Sequence, residues 1–316
     1  MPLSPTVPRT ILKGPPAPRH TWASHAVRGT LGAVLTVPYA ILGALGGCPG
    51  VGFRWACVRM AFRGLGRLPV SRVLSLVAAP LDSVRYFEFD FARKCIAEGS
   101  PRDYLDVSSP RLLPLDVVRR HPELNAVLLN PDRSDLDRTE RMIRALGLAG
   151  RCSTSDRRIA TCGLPDGSFD LITSISVLEH IPADSEAVAS MWRLLRPGGR
   201  LILTFPCAAA PAEEWADFNG FGVPEPAADG LFFRQRYYSP ACLESRIHPA
   251  VGTPARMEVY GEKRPGLYDR NVLAKMRDPF YPAWREPWMM AREWRRFDRI
   301  SDLPGIGVVG MMFVKE

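Results

Sequence analysis

Between residues 103 and 205 short apolar runs alternate with amphipathic segments, and this alternation constrains the fold more than any other feature of the chain. "DYLDV" (103–107), "NAVLLN" (125–130), "FDLITSIS" (169–176) and "RLILTF" (200–205) have the length of strands. Between them "LLPLDVVRRH", "RSDLDRTERMIRALGL" and "DSEAVASMWRLL" have helical character, with Val188, Met191, Trp192 and Leu195 on one face of the last. Gly147 is expected to close the second helix, and "PGG" the third. Strand alternating with helix predicts a parallel sheet with helices on both faces. Runs that are apolar on both sides, such as "AVLL" and "LILTF", are what a doubly covered sheet demands. "ARMEVYGE" and "GIGVVGMMFVK" read as two last strands, and "SPACLESRI" as a helix capped by Ser239 with Pro240 in its first turn.

The rest of the chain is organised around this core. Residues 1–28, rich in Pro, Thr and Arg, read as a flexible arm. Residues 29–53 carry no charge and are flanked by Arg28 and Arg54. That length could span a bilayer, but seven glycines with Pro38 and Pro49 weaken a simple spanning helix. Three readings stay open: a helix packed on the core, an interfacial or re-entrant anchor, and a full span. Residues 54–98 read as helical, so 29–98 form an N-terminal extension and 99–316 the main domain, with insertions at about 207–235 and 263–304. The second insertion holds Phe280, Tyr281, Trp284, Trp288, Met289, Met290, Arg292, Trp294, Arg295 and Arg296. Such a set suits a membrane interface, a lid over a hydrophobic acceptor, or a cap packed on the sheet.

A hydrophobic fraction of 46% allows a sizeable core in 316 residues. The net charge of +8 favours an anionic partner: a phospholipid surface, a phosphorylated substrate or a nucleic acid. The chain has no RNA-binding signature and no zinc-finger spacing, which speaks against nucleic acid. Seven cysteines, none at C-x-x-C spacing and none clustered with the five histidines, fit reduced thiols in a cytoplasmic protein and no structural metal.

One continuous run, "LPDGSFDLITSISVLEHIPADSEAVASMWRLLRPGGRLILTFP" (164–206), carries a resemblance. Its "LPDGSFD" approach to a strand, the "SVLEHI" that follows and the helix leading into "LLRPGGRLILTFP" together resemble the central half of a class I S-adenosylmethionine-dependent methyltransferase. The resemblance covers roughly residues 103–206. It implies a doubly wound, mostly parallel, seven-stranded Rossmann-like sheet, S-adenosyl-L-methionine as cofactor, and methyl transfer as activity. In such a sheet ligands bind beyond the carboxyl ends of the strands, at the switch in strand order. Residues 106–109, 130–132 and 174–180 stand there. The family implies that the methionine part of the cofactor lies against the loop after the first strand, where Asp106, Ser108 and Ser109 are found. The ribose hydroxyls meet an acid at the end of the second strand; here Asn130 takes that place, with Asp132 two residues on. The adenine meets an acid before the LP-x-x-x-FD stretch, where Asp156 is the candidate. Ser174 lies at the end of the strand that leads into "SVLEHI". The chain departs from the family's D-x-G-x-G-x-G loop, with Ser108, Pro110 and Leu112 at the glycine positions.

His180 is the candidate general base, because an unperturbed imidazole titrates near neutral pH. Glu179 would orient it or hold a substrate hydroxyl; the bland alternative for both is packing. Methyl transfer to a hydroxyl needs a proton acceptor near the attacking oxygen and in-line alignment. The expected function is O-methylation of a small-molecule acceptor, lipid-linked or a glycan, near a membrane, by a cytoplasmic protein associated with the inner membrane face. The alternative is a methyltransferase-like binding or scaffold protein that no longer binds the cofactor.

Overall fold

The computed structural model describes residues 7–14, 22–220 and 225–316. The chain opens with strand β1 (Arg9–Leu12), then helices α1 (Trp22–Leu45), α2 (Phe53–Arg63), α3 (Val70–Ala78) and α4 (Arg85–Ala97). The alternating core follows: β2 (Asp103–Val107), α5 (Leu112–Arg120), β3 (Asn125–Leu129), α6 (Arg133–Leu146), β4 (Cys152–Ser155), β5 (Phe169–Ile175), α7 (Asp184–Leu194) and β6 (Leu195–Ala208). Next come β7 (Ala212–Ala216), β8 (Phe232–Tyr237), α8 (Pro240–Arg246), α9 (His248–Val251) and β9 (Arg256–Glu262). The chain ends with α10 (Leu267–Arg277), α11 (Glu286–Glu293), β10 (Trp294–Phe297) and β11 (Ile306–Val314).

The main sheet has eight strands in the order β10-β9-β11-β6-β5-β2-β3-β4. Pairing of β2 with β3 and β5, of β3 with β4, and of β5 with β6 is parallel; β11 runs antiparallel to β6 and β9. The order reverses between β2 and β5, which sets the switch point. Seven strands answer the expectation. The eighth, β10, is added at the edge by the second insertion and pairs antiparallel with β9.

Successive residues of the central strands enter opposite apolar layers. Tyr104 and Leu171 face the layer that holds Phe87, Phe91 and Leu113, whereas Leu105 and Ile172 face the layer of Val188, Met191 and Phe205. This is the two-residue period of a strand covered on both sides. Each such side chain contributes roughly 1.5–3 kcal/mol by leaving water. Helix α6 begins at Asp132, whose carboxylate accepts from the Ser134 and Asp135 amides, and ends at Gly147 in the left-handed region (φ 72°). Ser239 accepts from the Cys242 amide at the start of α8. "PGG" does not end α7. It lies inside β6, with Gly198 at φ 77°, while Leu195 already pairs with Phe169.

Three parts of the chain differ from expectation. The arm expected over residues 1–28 contains an ordered strand, β1, which pairs parallel with β7, and α1 already starts at Trp22. Residues 1–6 and 15–21 of that arm lie outside the described residues. The first insertion is not a bare loop: β7 and β8 pair antiparallel and complete a small sheet of order β1-β7-β8. The uncharged segment becomes α1 and a glycine-rich turn, and one face of α1 packs against the second insertion. A Cβ on Gly43 would sit 2.6 Å from the Pro287 backbone, and one on Gly46 2.7 Å from Ala291. The glycines that weaken a spanning helix therefore let α1 and α11 approach closely. Among the described residues no helix is long and apolar enough to cross a membrane.

The same contact settles where the aromatic insertion faces. Tyr281, Trp284, Met289, Met290 and Trp294 are buried, Trp294 stacking on Tyr260 of β9 at 5.7 Å. Trp288 packs edge-on against Tyr39 of α1 and under the Arg292 guanidinium. Of the packed-cap and membrane-facing readings, the buried side chains take the first. Lys275 and Glu286 pair at 2.7 Å and both reach the turn before α4, Lys275 to Asp82 and Glu286 to the Ser83 amide. The insertion is thus fastened to the N-terminal extension.

Candidate active site

Parallel register brings the expected ligand-binding residues to one edge. Val107 pairs with Leu129, and Leu129 with Ser155. Ser108, Asn130 and Asp156 therefore emerge next to one another beyond three adjacent strands. All three are at least partly exposed, as is Asp132. Asn130 is tied locally: its carbonyl accepts from the Asp132 amide at 3.0 Å and its amide donates to Asp135 at 3.1 Å. The Asp132 carboxyl feels some burial, but its bonds from Ser134 and Asp135 outweigh it and hold it below the ordinary carboxylate range.

Asp106, Ser109 and Ser174 are placed differently from the expectation. They are buried and bonded within the protein rather than presented to a ligand. Asp106 accepts from the Ser109 amide at 3.0 Å, the Thr173 hydroxyl at 2.7 Å and the Tyr104 hydroxyl at 3.1 Å. Burial lifts its carboxyl to about 6, against the pull of those bonds. The Ser109 hydroxyl accepts from the Ile175 amide, and the Ser174 hydroxyl donates to the Val107 carbonyl. The physical reason is their place in the sheet: Asp106 and Ser174 stand inside β2 and β5, where Tyr104, Thr173 and the Val107 carbonyl bond them, and the Ser109 side chain turns back onto the Ile175 amide at the end of β5. Ser108 keeps the backbone shape a glycine would take, at φ 57°, with its amide and hydroxyl both donating to the Leu129 carbonyl. Leu112 turns inward and joins the apolar core instead of standing in the crevice.

A second group of polar side chains gathers at the carboxyl end of β5, beside Thr204 of β6. Ser176, again left-handed at φ 51°, donates to Glu88 of α4 at 2.5 Å, and Thr204 donates to the same Glu88 oxygen at 2.8 Å. Glu88 is fully buried and is paired with Arg85. Glu179 lies in the single 3-10 turn that follows and is buried, and its Oε2 has no hydrogen-bond partner among the described residues. Burial pushes the Glu179 carboxyl up to about 8, and the neighbouring Glu88 adds to the rise. His180 is half-buried. Its Nδ1 meets the Arg234 carbonyl at 2.6 Å, so Nδ1 carries the hydrogen and Nε2 keeps its lone pair, 3.8 Å from Glu179 Oε1. Burial lowers the imidazole to about 4, with Arg85 and Arg234 lowering it further and the bond to the carbonyl opposing. Near neutral pH the pair is a protonated carboxyl beside a neutral imidazole.

The sequence reading missed Glu88 and Arg85. The available signal was a carboxylate set among Tyr86, Phe87, Phe89 and Phe91 in one helix, since a charge placed inside an aromatic run is rarely buried without a partner. Asp170 accepts from the Arg102 and Asp103 amides, both at 3.0 Å, and pairs with Arg196. A groove of about 570 Å³ lined by Arg93, Lys94, Asp116, Arg120 and His121 lies at the other end of the strands, beside the C-terminus of α5. It is remote from these groups.

Residues 115–203 match a family model described as a methyltransferase domain. The match begins beyond the loop that follows β2. Over 129 residues the chain is 31% identical to the ubiquinone/menaquinone biosynthesis C-methyltransferase UbiE of Psychromonas ingrahamii, covering 40% of this chain and 49% of that one. Over 126 residues it is 27% identical to the ubiquinone biosynthesis O-methyltransferase of Alkalilimnicola ehrlichii, covering 40% and 50%. The chain spans about half the length of these curated relatives. In three dimensions it is similar to the crystal structure of MccD protein, with a TM-score of 0.52 at 10% identity over 74% of this chain and 99% of that one, a likeness of fold alone. Strand order, the segment from "LPDGSFD" to "RLILTFP" and the matched relatives agree. The core of this chain matches a methyltransferase domain over residues 115–203 and is similar to the class I S-adenosylmethionine-dependent methyltransferases.

Proposed function

We propose that the chain is an S-adenosylmethionine-dependent methyltransferase that methylates a hydroxyl of a lipid-linked or glycan acceptor, with the ionised form of Glu179, a minor share near neutral pH that grows as the pH rises toward 8, as the proton acceptor. The observation that carries this reading is the unpartnered Glu179 Oε2 at the carboxyl end of β5, on a carboxyl raised to about 8. A general base works best when its pKa lies near the operating pH, and an imidazole held at about 4 is too weak a base for a hydroxyl. His180 accordingly positions Glu179, and Arg85 with Glu88 fixes the wall opposite.

The donor set at the neighbouring edge fits the cofactor. Asp132 and Asp156 offer carboxylates for hydroxyl and amino groups, and Ser108 brings backbone close in the shape a glycine would give. S-adenosylmethionine supplies an electrophilic methyl on a sulfonium. The chain's own work is to align the acceptor oxygen and to take its proton onto Glu179. The test is tritiated methyl transfer from S-adenosylmethionine into a membrane lipid extract and into a water-soluble glycan fraction. Label in an alkali-stable ether, with kcat reduced at least about 100-fold in Glu179→Gln and cofactor affinity unchanged, is the expected result. Absence of label from both fractions, with cofactor bound, overturns the acceptor class.

A second reading, a scaffold without cofactor, is favoured by one observation: Asp106 and Ser109 are bonded to the protein itself. Calorimetry with the cofactor separates the two.

A further inference from the structure

The net charge of the chain is segregated. Residues 1–81 hold nine Arg or Lys and no Asp or Glu, while the remaining 235 residues hold 32 basic against 33 acidic side chains. The whole positive excess thus belongs to residues 1–81, the arm and the first part of the N-terminal extension.

The same extension carries the largest exposed apolar side chains. On α1, Leu31, Val34, Val37, Ile41 and Leu45 recur at three- and four-residue spacing and form one stripe opposite the face that packs on α11; Val34 is 72% and Leu45 81% exposed. No charged residue interrupts it between positions 30 and 45. On α2, Trp55 at 68% and Phe62 at 67% exposure share a face with exposed Arg59, and exposed Arg63, Leu65 and Arg67 follow. Helix α3 adds exposed Val70 and Leu74. Arg54 of α2 ties the three helices together, bonding Thr36 of α1 and the Ala78 carbonyl at the end of α3. Soluble surfaces rarely expose apolar residues in such density.

We propose that α1, α2 and α3 form a peripheral docking surface for an anionic phospholipid bilayer. The α1 stripe enters the boundary between headgroups and acyl chains, and Trp55 and Phe62 sit at headgroup level. Arg59, Arg63 and Arg67 meet the lipid phosphates. The choice of a bilayer over a second copy of the chain follows from charge: a copy would bring the same arginines against one another, whereas an anionic surface attracts each of them. An uncharged stripe next to aromatic and cationic residues is also the pattern of a helix lying in the interface plane. The surface does not depend on methyl transfer, and vesicle binding is read without cofactor or acceptor.

The test is flotation of the full chain with vesicles of phosphatidylcholine alone or with about 30% phosphatidylglycerol, at low salt and at about 0.5 M salt. The expected result is binding to the anionic vesicles at low salt, at least about tenfold weaker to neutral vesicles or at high salt. The triple variant Val34→Glu/Ile41→Glu/Leu45→Glu should lose at least about tenfold in partitioning, and Arg59→Glu/Arg63→Glu a similar factor. Melting temperatures should stay unchanged, because all five side chains are exposed. Failure to float with anionic vesicles at low salt overturns the proposal, as does flotation unaltered in the triple variant. Concentration-dependent dimerisation abolished by the triple variant, without vesicle binding, also overturns it and assigns the face to a second copy.

Discussion

Replacing Glu179 by glutamine should stabilise the protein, by an amount that grows with pH. Burial lifts this carboxyl from 4.5 to about 8, which amounts to roughly 5 kcal/mol against its ionised form. The folded state therefore keeps a proton that the unfolded chain releases above its ordinary pKa. Stability from this group is fully present below about 4.5, falls as pH rises, and is gone once the folded group ionises near 8. Glutamine copies the shape of the protonated acid and has no proton to lose. Between about pH 6.5 and 7.5 the free-energy gap between variant and wild type should widen by about 1.2 kcal/mol, slightly under the full slope because the folded carboxyl begins to ionise. In this window the folded His180 is already neutral, so the titration left is that of the unfolded imidazole near 6.5, which is common to both proteins. Urea unfolding at the two pH values measures the gap directly, provided the slopes agree. Parallel stabilities across that window would show that the carboxyl ionises normally, and the assignment of Glu179 as a base poised near neutrality would fall with it.

Two other perturbations have clear outcomes. Helix propensity alone would make Gly43→Leu stabilising by about 1 kcal/mol, but the close approach to Pro287 should turn this into a loss of about 2 kcal/mol by thermal denaturation; a gain would refute the tight packing of α1 on α11. Glu88→Ala strands Arg85 and leaves the Ser176 and Thr204 hydroxyls without their acceptor, so a loss of about 3 kcal/mol is expected; a change below about 1 kcal/mol would show that α4 does not brace the end of β5.

The central sheet was legible in the sequence because its strands are apolar on both faces and separated by amphipathic helices. "DYLDV", "NAVLL" and "FDLITSI" each coincide with a strand to the residue or nearly so. What escaped notice lacks that signature. Strand β4, "CSTS", is an edge strand paired only with β3 and has no apolar run. Strand β10, "WRRF", is hidden in a segment whose aromatics suggested a membrane interface but pack on α1 and β9. Charge position was equally informative and overlooked: the arginines are scattered along the chain, yet the acids are missing from its first quarter. At the site, "SVLEH" located the edge proposed for catalysis, and register then separated the exposed Ser108, Asn130, Asp132 and Asp156 from the interior Asp106, Ser109 and Ser174. No sequence pattern distinguishes a serine that faces a ligand from one that accepts a bond from the next strand. Only the fold makes that distinction.

The most direct measurement is isothermal titration of the full chain with S-adenosylmethionine and its demethylated product, S-adenosylhomocysteine. A methyltransferase site at the ends of β2, β3 and β4 should bind both at one equivalent with micromolar affinity, weakened at least about tenfold by Asp156→Ala, whose side chain is exposed and whose loss should leave the melting temperature unchanged. No heat and no thermal shift at millimolar ligand would contradict it, and would leave a methyltransferase fold whose loop has closed on itself.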